Sequence, residues 1–442
     1  VAKYRDVTSW YHLVFVADYA NSTAADRAKI YVNGVQQEVS TTRSFLQDTD
    51  GEINANDIHE IGFSEYGQGY TGSSWWFEFF CGYMAEYHFV DGQSYDPTYF
   101  GYTDAHTGQW RPKKYEGTHG TTGWYLPFTD NSSTSALGKD IVNANNWTTS
   151  GFSVSAGSDN DSMLDIPTNN FSTLSGGIDD SGNVPEDGNL QGGTAGTSGW
   201  RHTRSTVPLP SSGKWYWEYK VPDASANASN GWMTGIAYSN LGYTQDINSN
   251  STGLYGRQTE SKYNNSSGSP VTDSHFSTVA NNDILQFAYD ADSQTLFTGR
   301  NNTWELSANP STGANPNWTS VASGGYPMVG SYGSSRYVII NFGQQGFSYT
   351  PPTGYRALNS RNLATPVTSE VIRPQRFFES LIYTGNGSNG NKITGLEFKP
   401  DLVWIKCRSE TQNHDLYDSI RGGSARLIPN SDSGESSYSN LI

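Results

Sequence analysis

The sequence predicts an all-β protein made of tandem antiparallel β-sandwiches of the jelly-roll type, joined by linkers. Three observations carry that expectation. Only 35% of the 442 residues are hydrophobic while 14% are aromatic, with 13 Trp, 28 Tyr and 19 Phe. The apolar surface available for burial therefore sits on few, large side chains that favour strands. Charged residues make up just 16%, against 47 Gly, and the Ala, Leu, Glu and Lys that build long amphipathic helices are scarce. Short apolar runs bounded by Gly, Asn, Asp or Pro recur along the chain, as strands bounded by turns do.

The elements follow in order. WYHLVFVAD (10–18) is apolar on both faces, as a buried sandwich strand is. KIYVNGVQQEV (29–39) reads as a hairpin, with Asn33 and Gly34 supplying the two left-handed positions of a type I′ turn. GYMAEYHFVDGQ (82–93) reads as a strand ending in an Asp-Gly turn. Residues 123–171 look looser, with few periodic apolar positions. The stretch 172–198 is almost devoid of apolar residues and reads as a linker.

From 199 to 362, SGKWYWEYKV, GWMTGIAYSN, DILQFAYDADSQTLFTGRNNTWE and YVIINFGQQGFSYTPPTGYRALN each read as a strand or hairpin between turn residues. Within GKWYWEYKV (213–221), strand alternation puts Trp215, Trp217, Tyr219 and Val221 on one face, which should be core. Lys214, Tyr216, Glu218 and Lys220 share the other face, expected to be wet. After a second linker at 363–375, residues 376–442 begin a third β-rich unit, with 381–422 reading as strand, turn, strand.

Charge and cysteine content narrow the function. The formal net charge is −16, from 27 basic and 43 acidic residues, with no basic cluster, so no nucleic-acid or anionic-membrane partner is expected. No run of 18 apolar residues spans a membrane. Cys81 and Cys407 fall in different predicted domains, and no disulfide between them is expected. With no initiator Met and no signal peptide, the sequence reads as an interior piece of a longer chain.

Several of these segments resemble known modules. WYHLVFVAD, IYVNGV, MAEYHFVDGQSYDPTYFG and WRPKKYEGTHGTTGWYLPF resemble the laminin-G-like, concanavalin A-type module of marine phage virion proteins. LGKDIVNANNWTTSGFSVSAGSDNDSMLDIPTNNF (137–171) resembles the segment that follows it. The first module then covers 1–171 and lacks its first strands. The segments of 199–362 resemble a SPRY domain, through GKWYWE, LQFAYDADSQTLFTGRNN and INFGQQGFSYTPPTGY. FKPDLVWIKCRS and HDLYDSIRG resemble an uncharacterised domain of phage tail and virion proteins. The resemblance implies a bacteriophage virion protein, a tail fibre or adhesive appendage, that assembles in the host cytoplasm and acts outside the cell. Other virion proteins and host surface polysaccharide would be its partners, and a homotrimer is the family's habit. A purely structural or decorating virion protein, a secreted bacterial adhesin and a polysaccharide depolymerase are the alternatives.

No catalysis is expected. The E-x-D-x-x-E arrangement that supplies two close carboxylates on such sandwiches is absent, and Glu86 to Asp91 puts the second acid in a turn. There is no G-x-S-x-G, H-x-x-x-H or C-x-x-C. His12 and His88 alternate with apolar residues and read as structural. No cofactor is expected; for calcium, Asp48 and Asp50 precede Gly51, but an EF-hand frame would put Leu46 and Asp57 at its end ligands. Exposed aromatics are the remaining route to a ligand. Trp76, which shares parity with Glu78, and the tyrosines Tyr243, Tyr255 and Tyr263, expected on loops, are the candidates.

Overall fold

The computed structural model describes residues 4, 6–38, 46–48, 54–56, 58–66, 76–80, 82–105, 107–158, 160–175, 185–192, 200–224, 231–238, 253–257, 261–264, 279–332, 337–363, 377–388, 390–396 and 398–437. The fold is almost entirely antiparallel β, with one α-helical turn, Thr134–Leu137, among the described residues. The chain divides into two compact units: Val1–Tyr102 with Arg111–Ala364, and Thr103–Trp110 with Thr365–Ile442.

At the start of the first unit, β1 (Leu13–Ala17), β2 (Ala28–Val32) and β3 (Val35–Gln36) form a three-stranded sheet. Val32 pairs with Val35 across Asn33 (φ 48°) and Gly34 (φ 78°), the tight turn the sequence predicts. The expectation that 10–18 is buried on both faces is corrected: in β1 Val16 is buried, while Leu13 and Phe15 are exposed. Next come β4 (Phe63–Tyr66), paired with β5 (Trp76–Phe79), then β6 (Tyr87–Phe89), β7 (Gly101–Thr103), β8 (Trp110–Pro112) and β9 (Trp124–Leu126). β6 pairs with β9. The strand expected over 82–93 shrinks to β6 because Glu86 takes a left-handed conformation (φ 54°) and stops it.

The sandwich occupies the rest of this unit. Its strands are β10 (Gln191–Gly192), β11 (Trp200–Arg204), β12 (Lys214–Val221), β13 (Gly231–Ala237), β14 (Gly253–Arg257) and β15 (Ser261–Asn264). They continue with β16 (Asp283–Asp290), β17 (Thr295–Arg300), β18 (Thr303–Trp304), β19 (Tyr326–Tyr332), β20 (Val338–Asn341) and β21 (Arg356–Ala357). One sheet runs β10-β20-β12-β16-β17-β18, with β21 parallel beside β12; the other runs β11-β19-β13-β14-β15. Between them lies one core. Trp215, Trp217, Tyr219 and Val221 of β12 and Leu285, Phe287 and Tyr289 of β16 meet Trp232 and Ile236 of β13 and Val329 of β19. The cross-strand pairs Trp215–Tyr289, Trp217–Phe287 and Tyr219–Leu285 carry this face, and the Tyr219 hydroxyl donates across it to the Gly235 carbonyl at 3.1 Å.

Two sequence expectations fail here for physical reasons. The outer face of β12 is not wet: Tyr216 and Glu218 are 0% and 1% exposed. A second core of Tyr216, Ala288, Phe297, Ala308 and Tyr355, with Trp304 and Phe347 against it, covers that face. The residues that cover it follow β17 and β20, far from β12 in sequence.

The stretch 172–198 is not simply a linker. Phe171 and Leu174 belong to the sandwich core, Leu190 is fully buried, and β10 is an edge strand on β20. Upstream, residues 157–172 interlock with the chain after β20 and around β21. The Gln345 carbonyl accepts from Asn160 Nδ2 at 2.8 Å, the Gln344 carbonyl from the Leu164 amide at 2.6 Å, and the Leu358 carbonyl from the Ser172 amide at 3.0 Å.

In the second unit, β22 (Leu402–Ile405) pairs with β23 (Asp415–Asp418), and β24 (Ala425–Arg426) with β25 (Ser436–Ser437). No strand forms over the described residues of 381–396; Gly387 and Gly390 there take left-handed conformations (φ 68° and 80°) that interrupt it. Cys407 is a free thiol, and Cys81 lies outside the described residues.

Candidate functional site

The ribbon β6–β9 gathers aromatic side chains on both faces. Its register pairs Tyr87 with Leu126, His88 with Tyr125 and Phe89 with Trp124. Alternation therefore puts Tyr87, Phe89 and Trp124 on one face and His88 and Tyr125 on the other. On the first face Trp124 stacks with Tyr87 at 5.1 Å and with Phe89 at 5.7 Å, and Trp147 meets it edge-on at 5.0 Å. Tyr87 is 39% exposed, so the stack presents ring surface to solvent.

On the second face the His88 ring lies flat on Tyr125, centroids 4.0 Å apart and planes 9° from parallel. His88 Nδ1 is 3.0 Å from His119 Nε2. Tyr115 packs edge-on against both histidines and donates its hydroxyl to the Thr118 carbonyl at 2.8 Å. The Tyr125 hydroxyl donates to Glu86 Oε2 at 2.5 Å. Burial lowers the pKa of His88 to about 4, with the nearby His119 and His12 adding to the effect. Burial also lowers His119, opposed by the charge of Asp140, and raises Tyr125, helped by Glu86.

Beside the ribbon is an open depression of about 560 Å³ lined by Gly117, Thr118, His119, Gly120, Thr121, Val142 and Asn143. Its walls are well built. The Asn143 side-chain amide donates to the Gly120 and Gly123 carbonyls at 2.7 and 2.8 Å. The Asp140 carboxylate accepts from the backbone amides of Tyr125, Val142, Asn143 and Asn145 at 2.9–3.1 Å. Burial pushes Asp140 up, yet those four bonds hold it below its ordinary value. At Gly123 a Cβ would stand 1.7 Å from the His119 carbonyl oxygen, so only glycine lets β9 start there. The ribbon thus offers two separate surfaces suited to a sugar: the exposed ring face of Tyr87, and the depression with its hydroxyl, amide and backbone groups.

The sequence candidates are not brought together with this site. Tyr243 lies outside the described residues, as do the side chains of Trp76, Tyr255 and Tyr263. The backbone of Trp76 pairs with Tyr66 on β5–β4. Tyr255 and Tyr263 are corrected from loop to strand: they sit opposite one another on β14 and β15, the outer hairpin of the five-stranded sheet. Most of the acidic turn 48–54 is also outside the described residues. The Tyr87–Trp124 stack and the His88–His119 contact are new. The only sequence signal was the pair of aromatic runs EYHF and GWYL, with His119 between glycines in GTHGTTG.

Comparison with protein families matches residues 373–441 to DUF7483, a domain of unknown function. No curated protein matches the chain. Among solved structures it is similar to the SPRY domain of human HERC1, with 18% identity, a TM-score of 0.28, and coverage of 34% of this chain and 87% of that one. It is also similar to a human SPRY domain, with 16% identity, a TM-score of 0.27, and coverage of 34% of this chain and 90% of that one.

Proposed function

We propose that this chain is a non-catalytic adhesive component of a bacteriophage particle, a tail fibre or similar appendage, that binds host surface glycan without cofactor. The phage setting rests on the sequence resemblance of the first and third units. The binding half rests on one observation: the Tyr87–Trp124 stack keeps Tyr87 half-exposed, so a flat ring face is open to solvent. Stacking on a ring face suits a pyranose, and the depression lined by 117–121 and Asn143 offers carbonyls, threonine hydroxyls and an asparagine amide as a separate polar surface for sugar hydroxyls. A single shallow site of this kind binds weakly, so adhesion comes from many copies on one particle, trimeric fibres included.

The test is a glycan array and a host-cell binding assay with the whole chain, paired with Tyr87→Ala. Wild-type binding that falls at least tenfold in the variant, with an unchanged melting temperature, supports the reading. A wild-type chain that ignores both host cells and glycans overturns it and leaves a purely structural role.

A further inference from the structure

His88 lies on β6 and His119 on the loop that walls the depression. Their facing nitrogens, Nδ1 and Nε2, stand 3.0 Å apart, with the two rings 14° from parallel. Among the described residues no three His, Cys, Asp or Glu side chains converge as metal ligands would, and the contact has the geometry of an N–H···N hydrogen bond. Only one proton fits between two such nitrogens. A neutral or singly charged pair keeps the bond; a doubly charged pair sets two N–H groups and two like charges against each other.

We propose that His88 and His119 form a proton-operated latch on the depression. It is closed while the pair shares one proton and released when both rings are charged, so that the 117–121 wall loosens and bound ligand leaves in acid. The ligand half of this statement rests on the glycan reading above; the latch itself rests on the histidine geometry.

The surroundings favour such a device. His88 faces His119 and Tyr115 from the 113–121 segment, Tyr125 from β9, and the charge of His12 from the segment before β1. His119 faces His88, Tyr115, Tyr125 and the charge of Asp140. The two carboxylates of the cluster are engaged elsewhere, Glu86 with the Tyr125 hydroxyl and Asp140 with four backbone amides. The first proton is therefore placed on His119, which Asp140 supports, and the second must enter the buried His88. The pKa of His88 is about 4 in the closed form, against 6.5 in water. The closed form thus binds fewer protons than the open one, and closure is lost as pH falls from 6.5 toward 4. Over that window the opening equilibrium should gain on the order of 100-fold. The Asn143 bonds to Gly120 and Gly123 do not titrate, which keeps release local.

The test is backbone hydrogen exchange of the whole chain between pH 7 and pH 4.5, corrected for intrinsic rates, with β12 and β16 as internal reference. Protection over 117–123 should fall roughly 30- to 100-fold while the reference strands hold. His119→Gln should weaken the pH dependence, because an amide can present its carbonyl to a protonated His88 Nδ1, while the burial of His88 leaves a residual slope. Flat wild-type protection, or a variant that follows the wild type, overturns the latch. Should that variant not fold, imidazole ¹⁵N shifts of the wild type decide: His88 titrating independently near 6.5 overturns the proposal. Glycan bound equally at both ends of the pH range refutes the latch and keeps the adhesive reading. A pH-dependent loop with no glycan bound at any pH does the reverse.

Discussion

Glu218 is a fully buried carboxylate that accepts the hydroxyl of Tyr216, two residues along the same face of β12, at 2.8 Å. Its two oxygens also take the backbone amides of Ser348 and Tyr349 at 2.8 and 3.0 Å. Gln286 donates to the Tyr216 oxygen at 3.0 Å and accepts from the Asn302 amide at 2.7 Å. β12 and β16 together thereby pin two distant segments over their outer face, and the buried polar groups of that network satisfy each other.

Removing the centre of that network should be severe. Glu218→Ala leaves the Tyr216 hydroxyl and two backbone amides buried without an acceptor, and should cost about 3–5 kcal/mol. Glu218→Gln keeps one acceptor and should cost about 1–2 kcal/mol. Urea denaturation of the whole chain reads both, and a Glu218→Ala loss under 1 kcal/mol would show the network to be dispensable.

The pH dependence of stability carries two opposite slopes. Burial raises Glu218 above its ordinary value. The folded state then holds a proton the unfolded chain has lost, and stability falls as pH rises from 4.5 through the raised value. Burial lowers His88 from 6.5 to about 4, so its contribution falls as pH drops through that window. Denaturant midpoints between pH 4 and 8 should rise on the acid side in His88→Phe and flatten on the alkaline side in Glu218→Gln, each relative to wild type.

Trp217 tests the other face. It is fully buried in the inter-sheet core and stacks with Phe287 at 5.6 Å. Trp217→Ala should cost about 3–5 kcal/mol by the lost transfer energy and the cavity left behind. A thermal midpoint within a few degrees of wild type would refute its place in the core.

Gly192 tests whether 172–198 is structural. A Cβ there would stand 2.2 Å from Val329 Cγ2 and 3.1 Å from Leu174 Cδ1. Gly192→Ala should cost about 1–3 kcal/mol through overpacking, whereas a true linker would absorb the methyl group without effect. Guanidinium unfolding of both chains separates the two outcomes.

What the sequence made legible was whatever depends on neighbours two residues apart. The alternation of β12 exposed its core face, and Asn33-Gly34 its turn. The opposite face of β12 was misread as wet because its cover comes from residues around Phe347 and Tyr355, more than a hundred positions away. The segment 172–198 was misread because composition averages over a window, while Leu174 and Leu190 bury fully as single anchors. His88 and His119 lie 31 positions apart, and only the folding of the 117–123 loop onto β6 brings them into contact. The tyrosines 255 and 263 look like loop residues among Gly, Ser and Asn, yet their backbones ladder with one another.

The interlock between 157–172 and the chain beyond β20 also sets an order of events. Asn160 waits for Gln345, 185 positions later, and Asn169 accepts from the Arg361 amide, 192 positions on. At ~5–20 residues per second of synthesis, the early partner exists for about 10–40 s before the late one emerges. Throughout that time the segment carrying Phe171 and Leu174 has no sandwich to enter. Ribosome speed and chaperone supply, rather than the final stability of the sheets, should therefore govern how much of this protein is made correctly.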